Sequence, residues 1–267
     1  MTVAIIGAGV MGETLLSGLI RGGHDVKDLV VGEKRPERAT ELREKYAVTV
    51  VDNLADAAHA DTVALVVKPQ DMGEVLAEIA PHVAPGQLVV SLAAGITTDY
   101  IEKHLPDGIA VVRVMPNTPA LVDEGMAAIS GGRHCDESHL ATAEQMLAVT
   151  GRVIRVPEKQ QDAVTAISGS GPAYLFFVVE AMIEAGVHLG LPRTTATELV
   201  VQTVVGSAKL LRETGTHPTV LREQVTSPGG TTAAAIRQLE DHKVRAAFIT
   251  AMEAARDRSV ALAASDD

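Results

Sequence analysis

Two glycine-containing turns are the parts of this sequence whose residue types and spacing best suit chemistry. In residues 225–232, a proline and two glycines predict a tight turn, and Thr231 and Thr232 then begin an alanine-rich helical pattern. The first N–H groups of a helix have no intrahelical partner and carry partial positive charge. The turn therefore predicts a binding site for a small carboxylate.

The second turn lies near the N-terminus, where residues 7–12 match the spacing G-x-G-x-x-G. A β-branched strand pattern precedes it and a helical pattern follows, as in a dinucleotide-binding βαβ unit. Gly7 permits the tight turn, Gly9 lets the backbone approach a pyrophosphate, and Gly12 allows the helix to pack on the strand. This context favours a dinucleotide site over a glycine turn in another kind of α/β protein.

The end of the second predicted strand carries two opposed indications about the dinucleotide. Glu33 follows Gly12 by 21 positions, where a carboxylate accepts hydrogen bonds from a free ribose 2′-OH and favours NAD. Lys34 and Arg35 come next, and cations there pair with a 2′-phosphate and favour NADP. A solvated loop explains the two cations equally well, so the sequence leaves the preference open.

Two more strand ends are expected at the ligand-binding edge of the sheet. Lys68 and Pro69 end the fourth predicted strand, where the lysine would contact a phosphate or a substrate carboxylate. Ala93, Ala94 and Gly95 follow the fifth strand, and their small side chains leave room for a flat nicotinamide ring. Ordinary packing at the strand ends is the alternative interpretation for both.

Strand and helix patterns alternate through the first 157 residues, which predicts a doubly wound parallel sheet with helices on both faces. The expected strands cover residues 3–6, 29–31, 48–51, 62–67, 88–92 and 109–115, with further short strands at 127–130 and 153–156. The expected helices cover residues 10–21, 38–46, 72–80, 100–104 and 138–149.

After Pro157 the pattern becomes helical. We expect a long helix interrupted at residues 168–172, a helix that Pro192 begins at its first position, and shorter helices that follow Pro218 and Thr231. A last helix is expected at 243–260, with a frayed tail at 261–267. We therefore predict two domains, an α/β domain at residues 1–157 and an all-α domain at residues 158–267.

The second domain predicts self-association. Its helices are apolar on more than one face, notably at residues 173–185 and 196–211, and such helices are buried on several sides. A domain this small has little to cover them, so we expect an obligate homodimer whose interface resembles a domain core cut in half. A compact monomeric bundle is the alternative.

The composition restricts the classes of function. The net charge of −11 argues against nucleic acid and anionic membranes as partners. A single cysteine, Cys135, fits a reducing compartment, and we find neither a signal peptide nor a run near the roughly 18 apolar residues of a membrane span, so we expect a cytoplasmic protein. His134, Cys135, Asp136 and His139 do not match a closed zinc site, and we expect no bound metal.

These motifs together resemble the pyrroline-5-carboxylate reductases over roughly residues 2–260. The resemblance rests on five segments: the glycine turn at 7–12, V-V-K-P at 66–69, V-M-P-N-T-P at 114–119, S-G-S-G-P-A-Y at 168–174 and the turn at 225–232. It implies an N-terminal Rossmann domain, a helical domain that interlocks in a homodimer, and further assembly into a ring of dimers. It also implies NAD(P)H-dependent reduction of 1-pyrroline-5-carboxylate to L-proline, the last step of proline biosynthesis.

The resemblance also assigns roles to residues. NADPH, with NADH as the alternative, is expected to contact Gly7, Ala8, Gly9, Val10, Met11, Gly12, Glu33, Lys34, Arg35, Asn53, Val67, Lys68, Pro69, Ala93, Ala94 and Gly95. The substrate is expected to contact Met115, Asn117, Glu158, Gln224, Gly229, Gly230, Thr231 and Thr232. Thr232 is the candidate catalytic residue, because its hydroxyl would lie near the ring nitrogen, and the site would be shared between two subunits. Either Thr232 or a bound water would donate a proton to the nitrogen, or the hydroxyl would only form a hydrogen bond with it.

The sequence departs from many relatives at two positions. Glu33 stands where many have serine or another neutral residue, which puts a strict NADP preference in doubt, and Thr231 replaces an alanine found in some. Two other interpretations are a β-hydroxyacid dehydrogenase, which would need a catalytic lysine early in the helical domain, and a dinucleotide-binding regulatory protein without turnover. Lys159 and Lys209 lie beside no matching glycine motif, and the turn at 225–232 is intact.

Overall fold

Eight strands form a single sheet in the computed structural model, which describes residues 1–263. The strands are β1 Val3–Ile6, β2 Leu29–Gly32, β3 Thr49–Val51, β4 Thr62–Leu65, β5 Leu88–Ser91, β6 Ala110–Met115, β7 Gly125–Gly131 and β8 Gly151–Arg155. Their order across the sheet is β3-β2-β1-β4-β5-β6-β7-β8. The strands from β1 to β6 are parallel, and the order reverses between β1 and β4. The predicted doubly wound parallel sheet is confirmed.

Helices cover both faces of this sheet. They are α1 Val10–Arg21, α2 Pro36–Tyr46, α3 Leu54–Ala57, α4 Met72–Ile79, α5 Thr98–His104, α6 Glu137–Leu147 and α7 Gln161–Val164. Because successive side chains of a strand point to opposite faces, Val3 and Ile5 belong to one buried cluster and Ala4 and Ile6 to another. Burial on both faces explains why the strands are apolar at nearly every position rather than at every second one.

The last two strands extend the sheet in the opposite direction. β7 pairs antiparallel with β6, and β8 pairs parallel with β7. The sequence predicted both strands but not their direction, since a short apolar run carries no information about which neighbour it joins. Arg155, at the end of β8, bonds Glu137 and Glu144 of α6, so the edge of the sheet is held to its covering helix.

The chain divides into two compact units. One contains Met1–Ser170 together with the last helix from Ala255 onward, and the other contains Gly171–Ala254. This division is made by spatial contacts, and the predicted sequence boundary after residue 157 stays a prediction.

The helical unit has little interior of its own. Its helices are α8 Gly171–His188, α9 Arg193–Thr214, α10 Pro218–Gln224, α11 Thr231–Asp241 and the first part of α12 Val244–Ala263. Between residues 171 and 254, all of which the structure describes, the buried side chains are Ala196 and Val200. Large apolar side chains lie exposed instead, including Phe176, Phe177 and Leu189.

The long helix is interrupted as predicted, but the interruption covers residues 165–170 rather than 168–172. After α7 the chain stays helical but follows a π-helix at Thr165–Gly169 before α8 begins. The whole helical stretch, Glu158–His188, is long and apolar enough to cross a membrane by length and composition, which is weak evidence for one helix alone. π-Helical turns are frequent at functional sites, and this one contains Ser168 and Gly169.

Two smaller predictions about helix ends are wrong. Pro192 is the N-cap of α9 rather than its first helical residue, because its ψ of 142° is extended. Residues 261–263, predicted to fray, continue α12. The rest of the predicted frayed tail, 264–267, lies outside the described residues.

Candidate active site

A cleft of about 510 Å³ opens at the carboxyl ends of β1, β2 and β4, where the strand order reverses. Open α/β sheets bind their ligands at this edge. Three separate segments of the chain that were predicted to bind a cofactor line this cleft together. The predicted residues among its lining are Gly7, Ala8, Gly9, Glu33, Lys34, Arg35, Val67 and Lys68.

The glycine turn between β1 and α1 cannot accept side chains at its first and last glycines. Gly7 has a φ of +96°, and a Cβ there would lie 2.6 Å from the carbonyl oxygen of Val66. A Cβ on Gly12 would collide with the carbonyl oxygen of Gly7, and it would also contact Ile5 on β1. Turn and helix therefore pack closely on the sheet, which leaves the backbone of the turn facing the cleft.

The start of α1 has the donors that a pyrophosphate needs. Gly9 is its N-cap and supplies no side-chain hydrogen bond, so the first N–H groups are not capped by their own helix. At Gly9 a Cβ would meet none of the described atoms within 4 Å, so this backbone is open to a ligand. An uncapped helix start with an open glycine fits a dinucleotide phosphate.

At the end of β2, Glu33 and Arg35 bind each other rather than facing the cleft separately. The Arg35 Nε and backbone N–H each lie 2.9 Å from Glu33 Oε1, and a terminal guanidinium nitrogen lies 2.9 Å from Oε2. Burial by itself raises the pKa of Glu33, but the hydrogen bonds from Arg35 outweigh it and hold that pKa below its usual range. Glu33 is therefore a buried, charged and fully paired carboxylate.

Other residues predicted to contact the cofactor lie outside the lining of this cleft. Val10 and Met11 are in the first turn of α1, and Asn53 caps α3 by accepting a hydrogen bond from the Ala55 N–H. Pro69 begins the single turn after β4. The segment Ala93, Ala94 and Gly95 joins β5 to α5; its first residue is buried and its second is exposed.

Two of the predicted substrate-binding residues hold the end of β6 to the π-helix. The Asn117 amide donates to the carbonyl and the hydroxyl of Ser168, both at 3.2 Å, and accepts from the Met126 N–H at 2.8 Å. Met115 packs against Gly169, where a Cβ would displace its methyl group. The absence of a side chain at Gly169 thus permits this close approach.

Glu158 lies in the first unit with both carboxylate oxygens engaged. Oε1 accepts from the Thr98 N–H at 2.8 Å and from the Arg113 guanidinium at 3.3 Å, and Oε2 accepts from the Thr98 hydroxyl at 2.6 Å. The carboxylate therefore adds a second cap to the start of α5 and pairs with an arginine that is almost completely buried. The segment 93–97 leads directly into the start of α5 that this carboxylate caps.

In the helical unit, the turn at residues 225–232 has the predicted shape. The Gly230 N–H bonds the Ser227 carbonyl at 3.0 Å, and α11 starts at the next residue. Gly230 is the N-cap and has no side chain to satisfy the first N–H groups. Thr231 is exposed and Thr232 is half-buried, and Gln224, the last residue of α10, is exposed.

The predicted site residues thus fall into two groups. The sheet unit contains the residues expected to bind the cofactor, together with Met115, Asn117 and Glu158. The helical unit contains Gln224 and the turn residues 229–232. Within the described residues, no group of three acidic, histidine or cysteine side chains is arranged to hold a metal. Asp136 and His139 instead form the capping box of α6.

Sequence reasoning missed several residues of the site. Asp71 and Glu74 line the cleft, and Arg113 and Thr98 hold Glu158. Ala263 lies 3.8 Å from the place of a Cβ on Gly95. Thr98, Arg113 and Ala263 are distant in sequence from the residues they contact, so no local pattern indicates them. Asp71 and Glu74 follow Pro69 closely and could have been named from the sequence.

Family models match most of the chain. One, described as pyrroline-5-carboxylate reductase dimerisation, matches residues 158–262, and another, described as NADP oxidoreductase coenzyme F420-dependent, matches residues 2–95.

Whole proteins are similar over nearly the full length. The pyrroline-5-carboxylate reductase of Corynebacterium melassecola is 47% identical over 262 residues, which cover 97% of each chain. The solved structure of a pyrroline-5-carboxylate reductase from Coxiella burnetii superposes with a TM-score of 0.94 at 38% identity, covering 98% of each chain. That of Plasmodium falciparum pyrroline carboxylate reductase with NADP bound gives 0.88 at 28% identity, again over 98% of each chain.

Proposed function

The chain belongs to the pyrroline-5-carboxylate reductase family, and from that premise we propose how its residues carry out the reaction. It is an NAD(P)H-dependent oxidoreductase that reduces the C=N bond of 1-pyrroline-5-carboxylate and so forms L-proline, in proline biosynthesis. Within the chain itself, the observation that carries this function is the presence of two open helix starts. One stands beside a dinucleotide cleft, and the other follows a tight glycine turn.

The sheet unit holds the cofactor. Gly7 and Gly9 let the backbone approach the pyrophosphate, and the first N–H groups of α1 bind it. Val67, Lys68 and the segment 93–95 border the path toward the nicotinamide, where small side chains leave room for the ring. When bound, the reduced nicotinamide supplies the hydride.

The helix start at Thr231 binds the substrate carboxylate. The turn exposes the first backbone N–H groups of α11, and the helix dipole favours an anion there. Gly229, Gly230 and Thr231 contribute mainly backbone, so the site selects a small ring that can bring its carboxylate close. Gln224 borders the same turn on the preceding helix.

Thr232 orients the ring nitrogen. The substrate enters as a protonated imine, so addition of hydride to the ring carbon of the C=N bond already yields the N–H amine. The chain therefore has no proton to supply in that step, and a hydroxyl that accepts a hydrogen bond from the iminium is sufficient. Thr232 is half-buried, which suits an orienting group better than a solvated one.

Met115, Asn117 and Glu158 fix the walls of the site. Asn117 joins the end of β6 to Ser168, and Glu158 holds the start of α5 just after the segment expected to face the nicotinamide. Because the donors and acceptors of Asn117 and the oxygens of Glu158 are engaged within the unit, we assign both a positioning role.

A second copy of the chain covers the exposed apolar helices. Residues 158–262 match a dimerisation model, and the side chains of Phe176, Phe177 and Leu189 would otherwise remain in water. The apolar surface of the helical stretch at 158–188 would then be covered by the second copy rather than by lipid. We propose further assembly into a ring of dimers, a cytoplasmic location, and no nucleic-acid partner, the last on the strength of the net charge of −11.

The domain division proposed for this chain is 1–157 and 158–267, which agrees with a dimerisation match that begins at residue 158. Glu158 and Gln161 nevertheless bond side chains or backbone of the sheet unit, so the start of the helical domain is anchored in the sheet domain.

One assay tests the activity. The purified protein is mixed with 1-pyrroline-5-carboxylate and either NADPH or NADH, and the absorbance of the reduced nicotinamide is followed while proline is quantified. We expect oxidation of the cofactor with an equal amount of proline formed. Absence of proline with both cofactors would refute the function.

A further inference from the structure

Three cations follow β2, and the structure separates them by their partners. The Lys34 Nζ lies 3.1 Å from Glu74 and 2.9 Å from Glu78, both on α4. Arg38 bonds Glu13 and Glu41 and also donates to the Ala8 carbonyl. These two side chains are therefore tied to neighbouring helices and to the glycine turn.

Arg35 is held differently. Its guanidinium donates hydrogen bonds to both carboxylate oxygens of Glu33, two residues earlier in the chain, and its backbone N–H donates to the same carboxylate. The guanidinium is 66% exposed although its acceptor is only 6% exposed. Arg35 thus projects from a buried anchor toward solvent at the mouth of the cleft, and its own exposure allows it to exchange partners.

The buried carboxylate stands where an acidic residue reads the ribose 2′-OH in NAD-binding proteins. Here Arg35 donates three hydrogen bonds to the two oxygens, so the guanidinium must give way before both oxygens can accept hydrogen bonds from the ribose hydroxyls. A 2′-phosphate needs the opposite change, because it must attract the same guanidinium away from Glu33.

We propose that Glu33 and Arg35 form the selector of cofactor in this chain, an inference that rests on the proposed function. Arg35 pairs with Glu33 or with a 2′-phosphate, so the protein binds both NADPH and NADH. Glu33 lowers the affinity for the 2′-phosphate by competing for Arg35, and Arg35 lowers the affinity for the free ribose by occupying Glu33. The two members of one ion pair therefore act in opposite directions on the preference.

The test measures binding without turnover. Dissociation constants of NADP⁺ and NAD⁺ are measured by calorimetry, with no imine present, for the wild type and for Glu33→Gln and Arg35→Gln. We expect Glu33→Gln to shift the ratio of the two constants about tenfold toward NADP⁺, and Arg35→Gln to shift it about tenfold toward NAD⁺, the size of a hydrogen bond to a charged group. Arg35→Lys, which keeps the charge but not the fork, should fall between Arg35→Gln and the wild type.

Arg21→Gln is the matched control, because it removes an exposed arginine that pairs with Asp123 away from the cleft. It should leave the ratio unchanged, which separates a specific effect from a change in net charge. Circular dichroism and thermal unfolding verify that each variant is folded, and Glu33→Ser replaces Glu33→Gln if the latter is not.

The double variant Glu33→Gln with Arg35→Gln completes a double-mutant cycle, which measures the coupling between the two residues in the ratio of the NADP⁺ and NAD⁺ dissociation constants. A coupling near zero, or shifts of the two single variants in the same direction, would overturn the selector, and strong coupling with opposite shifts supports it. If the wild type bound neither dinucleotide, the proposed function itself would fail. If it bound both and no variant changed the ratio, the selector alone would fail.

Discussion

The sheet unit and the helical unit bury their side chains in opposite ways. The sheet unit places apolar residues from alternate strand positions into two interior clusters, one on each face. The helical unit is similarly apolar in its longest helices, yet Ala196 and Val200 are its buried side chains among the described residues 171–254. One unit is complete as a single chain, and the other has a surface that a second copy must cover.

This difference matches the chemistry assigned to each unit. A dinucleotide cleft requires a rigid sheet edge, which a self-contained core provides. The proposed substrate turn is carried on incompletely buried helices, so we expect binding of the substrate to depend on association.

The largest effect is expected at the exposed apolar surface of α8. Phe177→Asp replaces a phenyl ring, which we expect to be buried in the dimer interface, by a charge. A symmetric dimer carries this change twice, once in each copy. We expect the dissociation constant of the dimer to rise at least about 100-fold, equivalent to roughly 2.7 kcal/mol. Sedimentation at several concentrations measures it.

Val122→Asp provides the control in the sheet unit. Val122 is 72% exposed and Phe177 is 73% exposed, so exposure in the single chain does not distinguish them. If Val122→Asp dissociated the protein as strongly as Phe177→Asp, the contrast between the two units would be lost.

The next effect concerns Glu158, which is the first residue of the dimerisation match but bonds the sheet unit. Glu158→Ala removes the acceptor for Thr98 and for the buried Arg113, and we expect it to lower the free energy of unfolding by about 2 kcal/mol. Glu158→Gln keeps an acceptor oxygen and should lower it by about half as much. Denaturant titration compares the two, and equal stability of Glu158→Ala and the wild type would contradict the positioning role.

A smaller effect is expected at the substrate turn. Thr231→Pro removes one backbone donor at the first position of α11, where proline is tolerated and where the preceding Gly230 is already extended. We expect the KM for the imine to rise about tenfold, with folding retained. Thr231→Ala keeps the N–H and should raise KM much less. If both variants raised KM equally, the side chain rather than the backbone would bind the carboxylate.

The smallest effect is a pH dependence in the sheet unit. Burial by itself raises the pKa of Glu13, but hydrogen bonds from Lys45, Arg38 and Tyr46 lower it from 4.5 to about 2. The stabilisation is therefore complete above pH 4.5 and is lost as the pH falls toward 2. We expect Glu13→Gln to remove about 1 kcal/mol of this acid dependence, since the ion pairs are partly solvated. Unfolding curves measured across this pH range provide the test. The same pH dependence of stability in the wild type and in Glu13→Gln would contradict the prediction.

The sequence predicted much of the fold because its information was local. β1 and α1 were placed at their observed bounds, since an apolar β-branched run and a glycine turn leave few alternatives. The direction of β7 and β8 was not predictable, because pairing depends on the neighbouring strand rather than on the run itself. The last three residues of α12 were missed; a hydrogen bond from Ser259 to Asp162, 97 residues away, holds this end of the helix to α7.

The site shows the same limit. The glycine turns were recognisable from spacing, and the residues around them could be named. The partners of Glu158 lie 45 and 60 positions away, so nothing local indicated that its oxygens were engaged. The pair of Glu33 and Arg35 is local, and an acidic residue two positions before an arginine could have suggested it.

The measurement that tests the account most directly is complementation between two inactive variants. Gly9→Val blocks the cofactor turn without disturbing the fold, because a Cβ there meets none of the described atoms within 4 Å. Thr231→Pro combined with Thr232→Ala weakens the substrate turn, and the assay uses an imine concentration far below the KM of this variant so that its own sites contribute little activity. The two proteins are dissociated, mixed and reassociated, and heterodimer formation is verified by mass.

If each site joins the sheet unit of one copy to the turn of the other, a heterodimer contains one intact site and one with both defects. Random mixing should then restore about a quarter of the wild-type rate, since half of the dimers are mixed and each has one working site of two. Verified heterodimers without any gain in activity would show that the site lies within a single chain and would contradict the account.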